Sequence, residues 1–414
     1  MTTPGSARVV LVGALDTKGA EYAFVRDRLT AAGLGTLVID TGVLGSPSIA
    51  ADVDRAHVAR AGGAEIEALA AAGDRNEAMT TMARGAASTV RRLHRKGEVA
   101  AIIVLGGSNA GFVMSQVAAA LPIGCPKLLV STIVAGDTRP YVGTSDLMML
   151  YPVVDIAGLN SVSLPVLAKA ADACIGMLTG AALPARGADT DTVACTMFGV
   201  TTACVAAVQH ALEEQGDEVH VFHATGTGGL ALEAMIDAGY FAAVADITTT
   251  ELADELLGGV CSAGPHRLEA AARRGIPQVV SVGALDMCNF GARETVPQRF
   301  TDRLLFAHNP VVTLMRTSPD ECAELGRILA NKLNASSGHV EVVVPTRGFS
   351  QISGPGGPFH DPDADAALVA ALRSHLDPRI PLHLVDATIN DEAFSTEIIQ
   401  ALSRVLTITE GSPA

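Results

Sequence analysis

The chain has 414 residues, of which 49% are hydrophobic and 18% charged, which is enough for two or three domains with large cores. Its net charge of −15, the absence of Trp and a 4% aromatic share argue against a surface for nucleic acid or for an anionic membrane. Seven scattered cysteines with no C-x-x-C pair, no signal-peptide pattern and no apolar run of 18 residues predict a cytoplasmic chain with reduced thiols.

A buried strand is predicted at residues 9–12, where four β-formers follow one another without polar alternation. The strand runs into a loop over residues 13–19 and then into a helical pattern. In open α/β sheets such loops hold ligands at the carboxyl ends of the strands. Asp16, Thr17 and Lys18 offer a carboxylate, a hydroxyl and an ammonium there, and a lysine among loop amides suits a phosphate or a carboxylate. A connecting turn with a solvated lysine is the alternative.

The same alternation of strands and helices is predicted to continue to about residue 133. A second strand over residues 34–40 ends in Asp40, a long amphipathic helix covers residues 76–96, and strands are predicted over residues 99–105 and 127–133. Successive strand–helix units with short connections imply a parallel, doubly wound sheet.

A second candidate phosphate cradle follows the strand over residues 99–105. Its sequence is Gly106-Gly107-Ser108-Asn109-Ala110-Gly111, which opens another predicted helix. It is not a P-loop, because no Lys-Ser/Thr follows its last glycine. A tight turn without a ligand explains the same glycines equally well.

A Pro/Gly-containing segment at residues 184–189 separates two apolar-patterned regions and is the predicted linker. The second region again reads strand, Gly/Thr loop, helix, strand. We therefore predict an α/β fold of two doubly wound, mainly parallel, Rossmann-like subdomains, residues 1–185 and 190–414, with a cleft between them.

The sharpest motif of the second half is Gly226-Thr227-Gly228-Gly229-Leu230-Ala231, which reads G-x-G-x-x-A between a strand and a helix. Asp246 lies 20 residues beyond the first glycine, as the acid of a dinucleotide fingerprint would. The fingerprint normally follows the first strand of its domain, but here it follows the second. NAD-type binding and a more general anion site both remain open. His223 before the loop is a candidate general base, with a hydrogen-bonded core histidine as the alternative.

Further polar residues sit at predicted strand ends. Thr250 and Glu251 begin a helix, where capping competes with a ligand role. Asp286 ends a segment over residues 279–286 that repeats residues 9–16 at seven of eight positions. No H-x-x-x-H or H-E-x-x-H pair is present, so no metal site is expected, and without a G-x-S-x-G elbow a serine hydrolase is not expected either.

Motifs along nearly the whole chain resemble a known family, the ATP-binding domain family of the N-terminal half of the tomato mosaic virus resistance protein, which also includes uncharacterised bacterial and fungal proteins. The matching motifs are Gly13-Ala14-Leu15-Asp16-Thr17-Lys18-Gly19, Gly106-Gly107-Ser108, Tyr141-Val142-Gly143, Asp155-Ile156-Ala157-Gly158-Leu159-Asn160, Gly226-Thr227-Gly228-Gly229, Thr249-Thr250-Glu251-Leu252-Ala253-Asp254, Arg347-Gly348-Phe349-Ser350 and Pro355-Gly356-Gly357-Pro358-Phe359-His360-Asp361-Pro362.

The resemblance implies two α/β subdomains, a homodimer, and ATP at the strand-end loops, with a TIM-barrel partner as a separate chain. On this hypothesis the loops at residues 13–18 and 106–109 meet the phosphates of ATP with Mg²⁺, Lys18 pairs with their charge, and Asp40 reaches the ribose. The resemblance does not supply a reaction.

Two other hypotheses differ in class. One is a hydrolase or lyase acting on a small carboxylate or phosphorylated metabolite in the cleft, lined by His223, Thr250, Glu251 and Asp286. The other is a regulatory protein whose nucleotide only stabilises the dimer.

Overall fold

The structure is a computed structural model that describes residues 7–180 and 192–410. The predicted linker at residues 184–189 lies outside the described residues. The chain divides into two compact units, Met1–Ala185 and Arg186–Ala414.

In the N-terminal unit, buried strands alternate along the chain with helices that are partly exposed. Its strands are β1 (Arg8–Gly13), β2 (Thr36–Asp40), β3 (Val99–Gly106), β4 (Lys127–Ser131) and β5 (Met148–Leu150). Its helices are α1 (Leu15–Ala31), α2 (Arg55–Ala61), α3 (Ile66–Ala72), α4 (Arg75–Arg95), α5 (Ser108–Ala118), α6 (Arg139–Val142) and α7 (Ser163–Thr179), with a 3₁₀ turn at Thr132–Ala135.

The described strands of this unit form one parallel sheet in the order β2-β1-β3-β4-β5. Apolar side chains cover both faces of the sheet, in one core against α4 and α5 and another against α1 and α7. The strand order reverses between β1 and β3, and in doubly wound sheets this is the point where the carboxyl ends of the strands open a crevice for ligands.

The C-terminal unit repeats the pattern and adds a small antiparallel sheet. Its strands are β6 (Thr192–Met197), β7 (Glu218–His223), β8 (Ala243–Thr248), β9 (Gln278–Gly283), β10 (Met287–Phe290), β11 (Leu305–Asn309), β12 (Val312–Arg316), β13 (Val340–Pro345) and β14 (Leu382–Val385). Its helices are α8 (Thr202–Gln215), α9 (Thr227–Asp237), α10 (Glu251–Leu257), α11 (Ala270–Arg274), α12 (Pro319–Asn334), α13 (Pro362–His375) and α14 (Glu392–Glu410), with 3₁₀ turns at Gly199–Thr201, Arg293–Thr295 and Gln298–Phe300.

The main sheet of this unit is parallel, in the order β14-β13-β9-β8-β6-β7, and its order reverses between β6 and β8. β10, β12 and β11 pair separately as an antiparallel sheet. The predicted α/β fold of two mainly parallel, Rossmann-like sheets is therefore confirmed, while the antiparallel sheet was not predicted. No helix in the described ranges is both long and apolar enough to span a membrane.

Candidate functional site

A crevice lies at the switch point of the N-terminal sheet, where β1 and β3 end. It encloses about 250 Å³. Its wall is formed by the turn after β1, the turn after β3 and the start of α4. The residues that line it are Gly13, Ala14, Thr17, Lys18, Thr41, Arg75, Met79, Val104, Leu105, Gly106, Gly107, Ser108, Asn109, Ala110, Val113 and Asp155.

The turn after β3 presents the N terminus of α5 to this crevice. Gly107 is the N-cap, with φ −86° and ψ −149°, and no side chain caps the helix. A Cβ placed on Gly107 would meet no atom within 4 Å, so the glycine leaves open space in front of the first helical turn. Uncapped amides at a helix N terminus, together with the helix dipole, favour an anion.

Two cations face the same crevice. The Lys18 ammonium donates a hydrogen bond to the Ile156 carbonyl, and Lys18 interrupts the helical backbone of α1 at φ −126°. Arg75 is exposed at the first position of α4, directly after the capping residue Asp74. No carboxylate in the described part of the chain forms an ion pair with the Arg75 guanidinium. Arg75 therefore offers its full charge to a ligand.

A second cavity of about 320 Å³ adjoins the first. Its wall is mostly apolar, because Val43, Leu44, Leu69, Ala78 and Met79 contribute to it. A cavity lined by Lys18, Arg75 and the loop after β3, beside a mostly apolar cavity, suits a ligand with an anionic end and an apolar end. The residues that line both cavities are Ala14, Thr17, Thr41, Arg75, Met79 and Asn109.

Gly13 shapes the crevice through packing. A Cβ on Gly13 would lie 2.0 Å from the Tyr22 hydroxyl oxygen. That hydroxyl donates to the Val12 carbonyl at 2.5 Å and accepts from the Leu105 amide at 2.8 Å, so it ties β1 to β3 at the switch point. Burial raises the pKa of Tyr22 far above its usual value, and the phenol stays neutral. Close packing against Tyr22 therefore requires a glycine at position 13, whether or not the crevice holds a ligand.

Asp40 holds the two loops beside the crevice. It is only 1% exposed, and its Oδ1 atom accepts hydrogen bonds from the amides of Leu15 (3.1 Å) and Gly42 (2.8 Å). Burial, opposed by these hydrogen bonds and reinforced by the charge of Asp16, raises its pKa. A carboxylate with so little exposed surface organises the loops and has no room to meet a ribose, so we leave the predicted ribose contact out of the site.

Asp16 has one satisfied and one unsatisfied oxygen. Its Oδ2 atom accepts from the Gly45 amide at 3.1 Å. Its Oδ1 atom is buried and has no hydrogen-bond partner among the described residues. A Cβ placed on Gly42 would lie 2.8 Å from this Oδ1 atom, and both residues line the apolar cavity.

The glycine loop of the C-terminal unit contains a carboxylate of the chain itself. The amides of Gly226 (2.7 Å) and Gly229 (3.0 Å) both donate to Glu251 Oε1. A Cβ on Gly228 would lie 1.8 Å from the His223 carbonyl oxygen, so this glycine serves close packing. The two amides are therefore already used, although the loop after β7 has the predicted position between strand and helix, with Thr227 starting α9.

The acid of the predicted fingerprint is also occupied. Asp246 is 1% exposed and accepts from Arg267 at 2.5 and 2.7 Å, and from the Thr196 hydroxyl at 2.8 Å. Arg267 also donates to Glu251 Oε2 at 2.6 Å and to Glu233 at 3.3 Å. Burial raises the pKa of Glu251 against the opposing pull of Arg267. This buried network leaves Asp246 no surface for a ribose.

Loop-to-loop hydrogen bonds tie together the carboxyl edge of the C-terminal sheet. The Val200 carbonyl after β6 accepts from the Gln351 amide after β13 at 2.9 Å and from Asn390 Nδ2 after β14 at 3.0 Å. The hydroxyls of Thr201 and Thr248 meet at 2.8 Å across the switch point of this sheet. The carboxyl edge of the N-terminal sheet contains a crevice, whereas loop-to-loop hydrogen bonds connect the loops at the carboxyl edge of the C-terminal sheet.

The remaining predicted site residues of this unit differ in exposure. His223 is exposed, with its ring 5.6 Å from that of Phe198. Thr250 is fully buried, with its hydroxyl unpartnered among the described residues. Asp286 is fully buried too, and its Oδ2 atom accepts from the Ser350 hydroxyl at 2.7 Å. Burial raises the pKa of Asp286. Of these three residues, only His223 has surface on which to meet a ligand from solution.

The residues of the crevice that the sequence analysis missed come from outside the glycine loops. Arg75, Met79, Thr41 and Leu44 lie after β2 or at the start of α4, and no local motif marks them. The one local signal in the sequence was Arg75, which directly follows Asp74, the N-cap of α4. Whether Arg75 lies near the end of β1 depends on how α4 packs against the sheet, which the local sequence does not show.

Two domain models of one family together match most of the chain. The N-terminal domain of an uncharacterised protein family (UPF0261) matches residues 7–182, and the C-terminal domain of the same family matches residues 190–406.

Similar proteins occur in bacteria and in a plant. A UPF0261 protein of Clostridium tetani is 44% identical over 96% of this chain and 99% of its own length. One of Rhizobium meliloti is 41% identical over 95% of this chain and 98% of its own. The tomato (Solanum lycopersicum) ToMV resistance protein Tm-1(GCR237) is 41% identical over 74% of this chain but 42% of its own length. A UDP-N-acetylglucosamine 2-epimerase structure from Rickettsia bellii aligns over 98% of both chains, with a TM-score of 0.22 and 8% identity, which is too weak to support any argument.

Proposed function

We propose that this chain, which belongs to the uncharacterised protein family UPF0261, binds a nucleotide, ATP with Mg²⁺, in the crevice of its N-terminal unit. The observation that carries the proposal is the uncapped start of α5 at Gly107, which opens onto a crevice at the strand-order switch point. Backbone amides in this arrangement are a general phosphate site.

The phosphates of the ligand would lie against the amides of Gly107, Ser108 and Asn109. Lys18 and Arg75 supply positive charge from the other walls of the crevice. The Lys18 ammonium already donates a hydrogen bond to the Ile156 carbonyl, whereas Arg75 has no competing ion pair among the described residues. Charge-assisted hydrogen bonds of this type are the strong ones in phosphate recognition.

The base of the nucleotide would enter the apolar cavity between Leu44, Leu69 and Met79. That cavity, at about 320 Å³, is within the range of roughly 300–1,000 Å³ typical of small-molecule sites. The C-terminal unit favours ATP over a dinucleotide. Glu251 accepts from the loop amides that a dinucleotide phosphate would need, and Arg267 pairs with Asp246, the acid that a ribose would need.

The proposal is tested by thermal shift and calorimetry with ATP, ADP, inorganic triphosphate, adenosine and NAD, each with Mg²⁺. A ligand that binds only the folded state at 100 times its Kd stabilises that state by about 2.7 kcal/mol. We expect ATP to raise the Tm, and triphosphate and adenosine each to raise it less. A response to NAD but not to ATP would contradict the proposal, and a response only to small phosphorylated acids would favour a metabolic enzyme instead.

The resemblance further leads us to propose a cytoplasmic homodimer that acts with a separate TIM-barrel protein. Light scattering of the purified chain tests the dimer directly. Co-purification with a co-expressed barrel chain tests the partner, with a pair of unrelated barrel proteins as the control.

A further inference from the structure

We infer that the side-chain carboxamide of Asn109 binds the ribose hydroxyls of the nucleotide, so that the N-terminal crevice prefers ATP over its deoxy analogues. The inference rests on the proposed nucleotide function and assigns a specificity-determining residue within that site. Three observations about Asn109 support it: its position, the accessibility of its carboxamide and the hydrogen bonds that a carboxamide can form.

Asn109 lies where the two cavities of the N-terminal unit meet. It is the second residue of α5, and it lines both the crevice at the Gly107 turn and the adjoining apolar cavity. In the proposed site the phosphates lie against the start of α5 and the base lies in the apolar cavity. Because the ribose joins these two parts of a nucleotide, it lies at the junction that Asn109 lines.

The other residues at this junction suit a sugar less well. They are Ala14, Thr17, Thr41, Arg75 and Met79. The alanine and the methionine are apolar, and the arginine carries a charge that suits a phosphate. The Thr17 hydroxyl donates to the Ala14 carbonyl at 3.4 Å, and Thr41 is only 5% exposed. The carboxamide of Asn109 is therefore the uncharged group that a ribose would meet here.

The carboxamide of Asn109 is accessible to a ligand. The residue is partly exposed, and its side chain forms no hydrogen bond with any of residues 7–180 and 192–410. Neither the oxygen nor the nitrogen of the carboxamide is enclosed by protein atoms. Water satisfies these atoms in the free protein, and a ligand that displaces this water loses no affinity if it reproduces the hydrogen bonds.

A carboxamide matches the two neighbouring hydroxyls of a ribose. It has two N–H donors and an acceptor oxygen, and each hydroxyl both donates and accepts. A phosphate oxygen only accepts, so a phosphate would leave the carboxamide oxygen without a partner. A deoxyribose lacks one hydroxyl, and a site that binds a hydroxyl discriminates against an analogue without it. Asp40, the residue predicted from the sequence to contact the ribose, is 1% exposed and already accepts from two loop amides.

The experiment measures the Kd of ATP, 2′-deoxy-ATP and 3′-deoxy-ATP by calorimetry, each with Mg²⁺, for the wild type and Asn109→Ala. We expect the wild type to bind ATP about 2-fold to 10-fold more tightly than one or both deoxy analogues, the net worth of a hydrogen bond. Asn109→Ala should bind ATP more weakly and should bind ATP and the analogues with equal Kd. Its Tm without ligand should equal that of the wild type, because no described residue depends on this side chain for a hydrogen bond.

Two further variants are matched controls. Asn76→Ala removes the same carboxamide from the second residue of α4, where Asn76 is exposed and lines neither cavity. It should keep both the wild-type Kd and the preference for ATP. Ser108→Ala changes the residue before Asn109, which lines the crevice of the phosphates but not the apolar cavity. It should keep the preference for ATP over the deoxy analogues, even where it weakens the binding of all three.

Three results would overturn the assignment and leave the nucleotide function intact. The first is that Asn109→Ala weakens the binding of ATP and the deoxy analogues equally, since the side chain would then contact another part of the nucleotide. The second is that the wild type binds all three nucleotides with the same Kd. The third is that Ser108→Ala, and not Asn109→Ala, removes the preference. If the wild type binds none of the three, the nucleotide function itself fails, and the assignment with it.

Discussion

Glu251 Oε1 lies 2.7 Å from the Gly226 amide nitrogen, in the position where a dinucleotide site would hold a phosphate oxygen. The carboxylate satisfies the glycine loop of the C-terminal unit from within the chain, and Arg267 neutralises it at 2.6 Å. In the N-terminal unit the glycine turn that follows β3, at Gly107, has no such side chain. The two units share a fold, but no described side chain fills the turn at Gly107 as Glu251 fills the loop after β7.

Glu251→Ala should therefore destabilise the C-terminal unit without affecting nucleotide binding. Loss of one member of a buried ion pair typically costs about 3–5 kcal/mol. Urea unfolding followed by circular dichroism measures this, because the chain has no Trp for fluorescence. Glu255→Ala on the same helix is the control, since Glu255 is exposed and should change stability little. Equal stability of the two variants would mean that Glu251 does not satisfy the loop.

Gly107→Ala should weaken ATP binding and leave the Tm of the unliganded protein unchanged. The added methyl group meets no protein atom within 4 Å, so the fold has room for it while the crevice loses that space. Crowding a filled site typically costs about 1–3 kcal/mol, which corresponds to an increase in Kd of about 5-fold to 150-fold. Gly199→Ala makes the same change into open space in the C-terminal unit and should leave Kd unaltered. Unchanged affinity in Gly107→Ala would remove the start of α5 from the site.

Arg75→Ala should weaken ATP binding by about 1.5–3 kcal/mol, the value of a hydrogen bond to a charged group. Arg91→Ala is the control, because Arg91 is an exposed arginine on the same helix but does not line the crevice. Titration calorimetry at low and high salt separates a direct contact from a long-range effect, since salt screens the latter. Equal losses in both variants would show that only the general field of α4 matters.

Lys18→Ala should lower both affinity and stability, which distinguishes it from Arg75→Ala. Its ammonium donates to the Ile156 carbonyl, so the substitution also frees a loop that borders the crevice. We expect an affinity loss of about 1.5–3 kcal/mol and a lower Tm without ligand. A variant with unchanged affinity but a lower Tm would reduce Lys18 to a structural role.

The parallel sheets were predictable because their strands are buried on both faces. Runs such as residues 9–12 and 99–105 therefore appear as continuous apolar segments in the sequence. The antiparallel sheet was missed because β10, β11 and β12 are short and carry polar residues such as Asn289 and Thr313 within them. Here cross-strand pairing, which a single segment does not report, decides the structure.

The local sequence also predicted the glycine loops, but it did not predict which of them is filled by another side chain of the protein. Gly13 and Gly107 line the crevice as strand-end turns should. The glycines at 226–229 have the fingerprint spacing, yet the group that fills their loop, Glu251, is 25 residues from Gly226. Which amides stay free depends on tertiary contacts, and a motif contains no information about them.

Asp254 should make the protein less stable as the pH rises toward 7. Burial raises the pKa of Asp254 from 3.8 to about 7 in the folded state. Between these values the unfolded chain has released the proton and the folded chain retains it, so the free energy of unfolding falls as the pH rises and levels off above about pH 7. Urea unfolding at several pH values between 4 and 8 measures this slope.

Asp254→Asn should flatten that slope and fold normally. The carboxylate accepts from the Cys261 amide at 2.9 Å and from Asn289 Nδ2 at 2.7 Å, and an Asn side chain turns one of these acceptors into a donor. Asn289 can accommodate this change, because its own Oδ1 atom is buried without a partner in the described structure and accepts a hydrogen bond once its amide rotates by 180°. Asp365, whose pKa burial raises to about 6, contributes with the same sign to both proteins, so it cancels in the difference between them. Asp363→Asn, at an exposed position, is the control and should keep the wild-type slope. If Asp254→Asn keeps that slope as well, the pH dependence originates in other carboxyls.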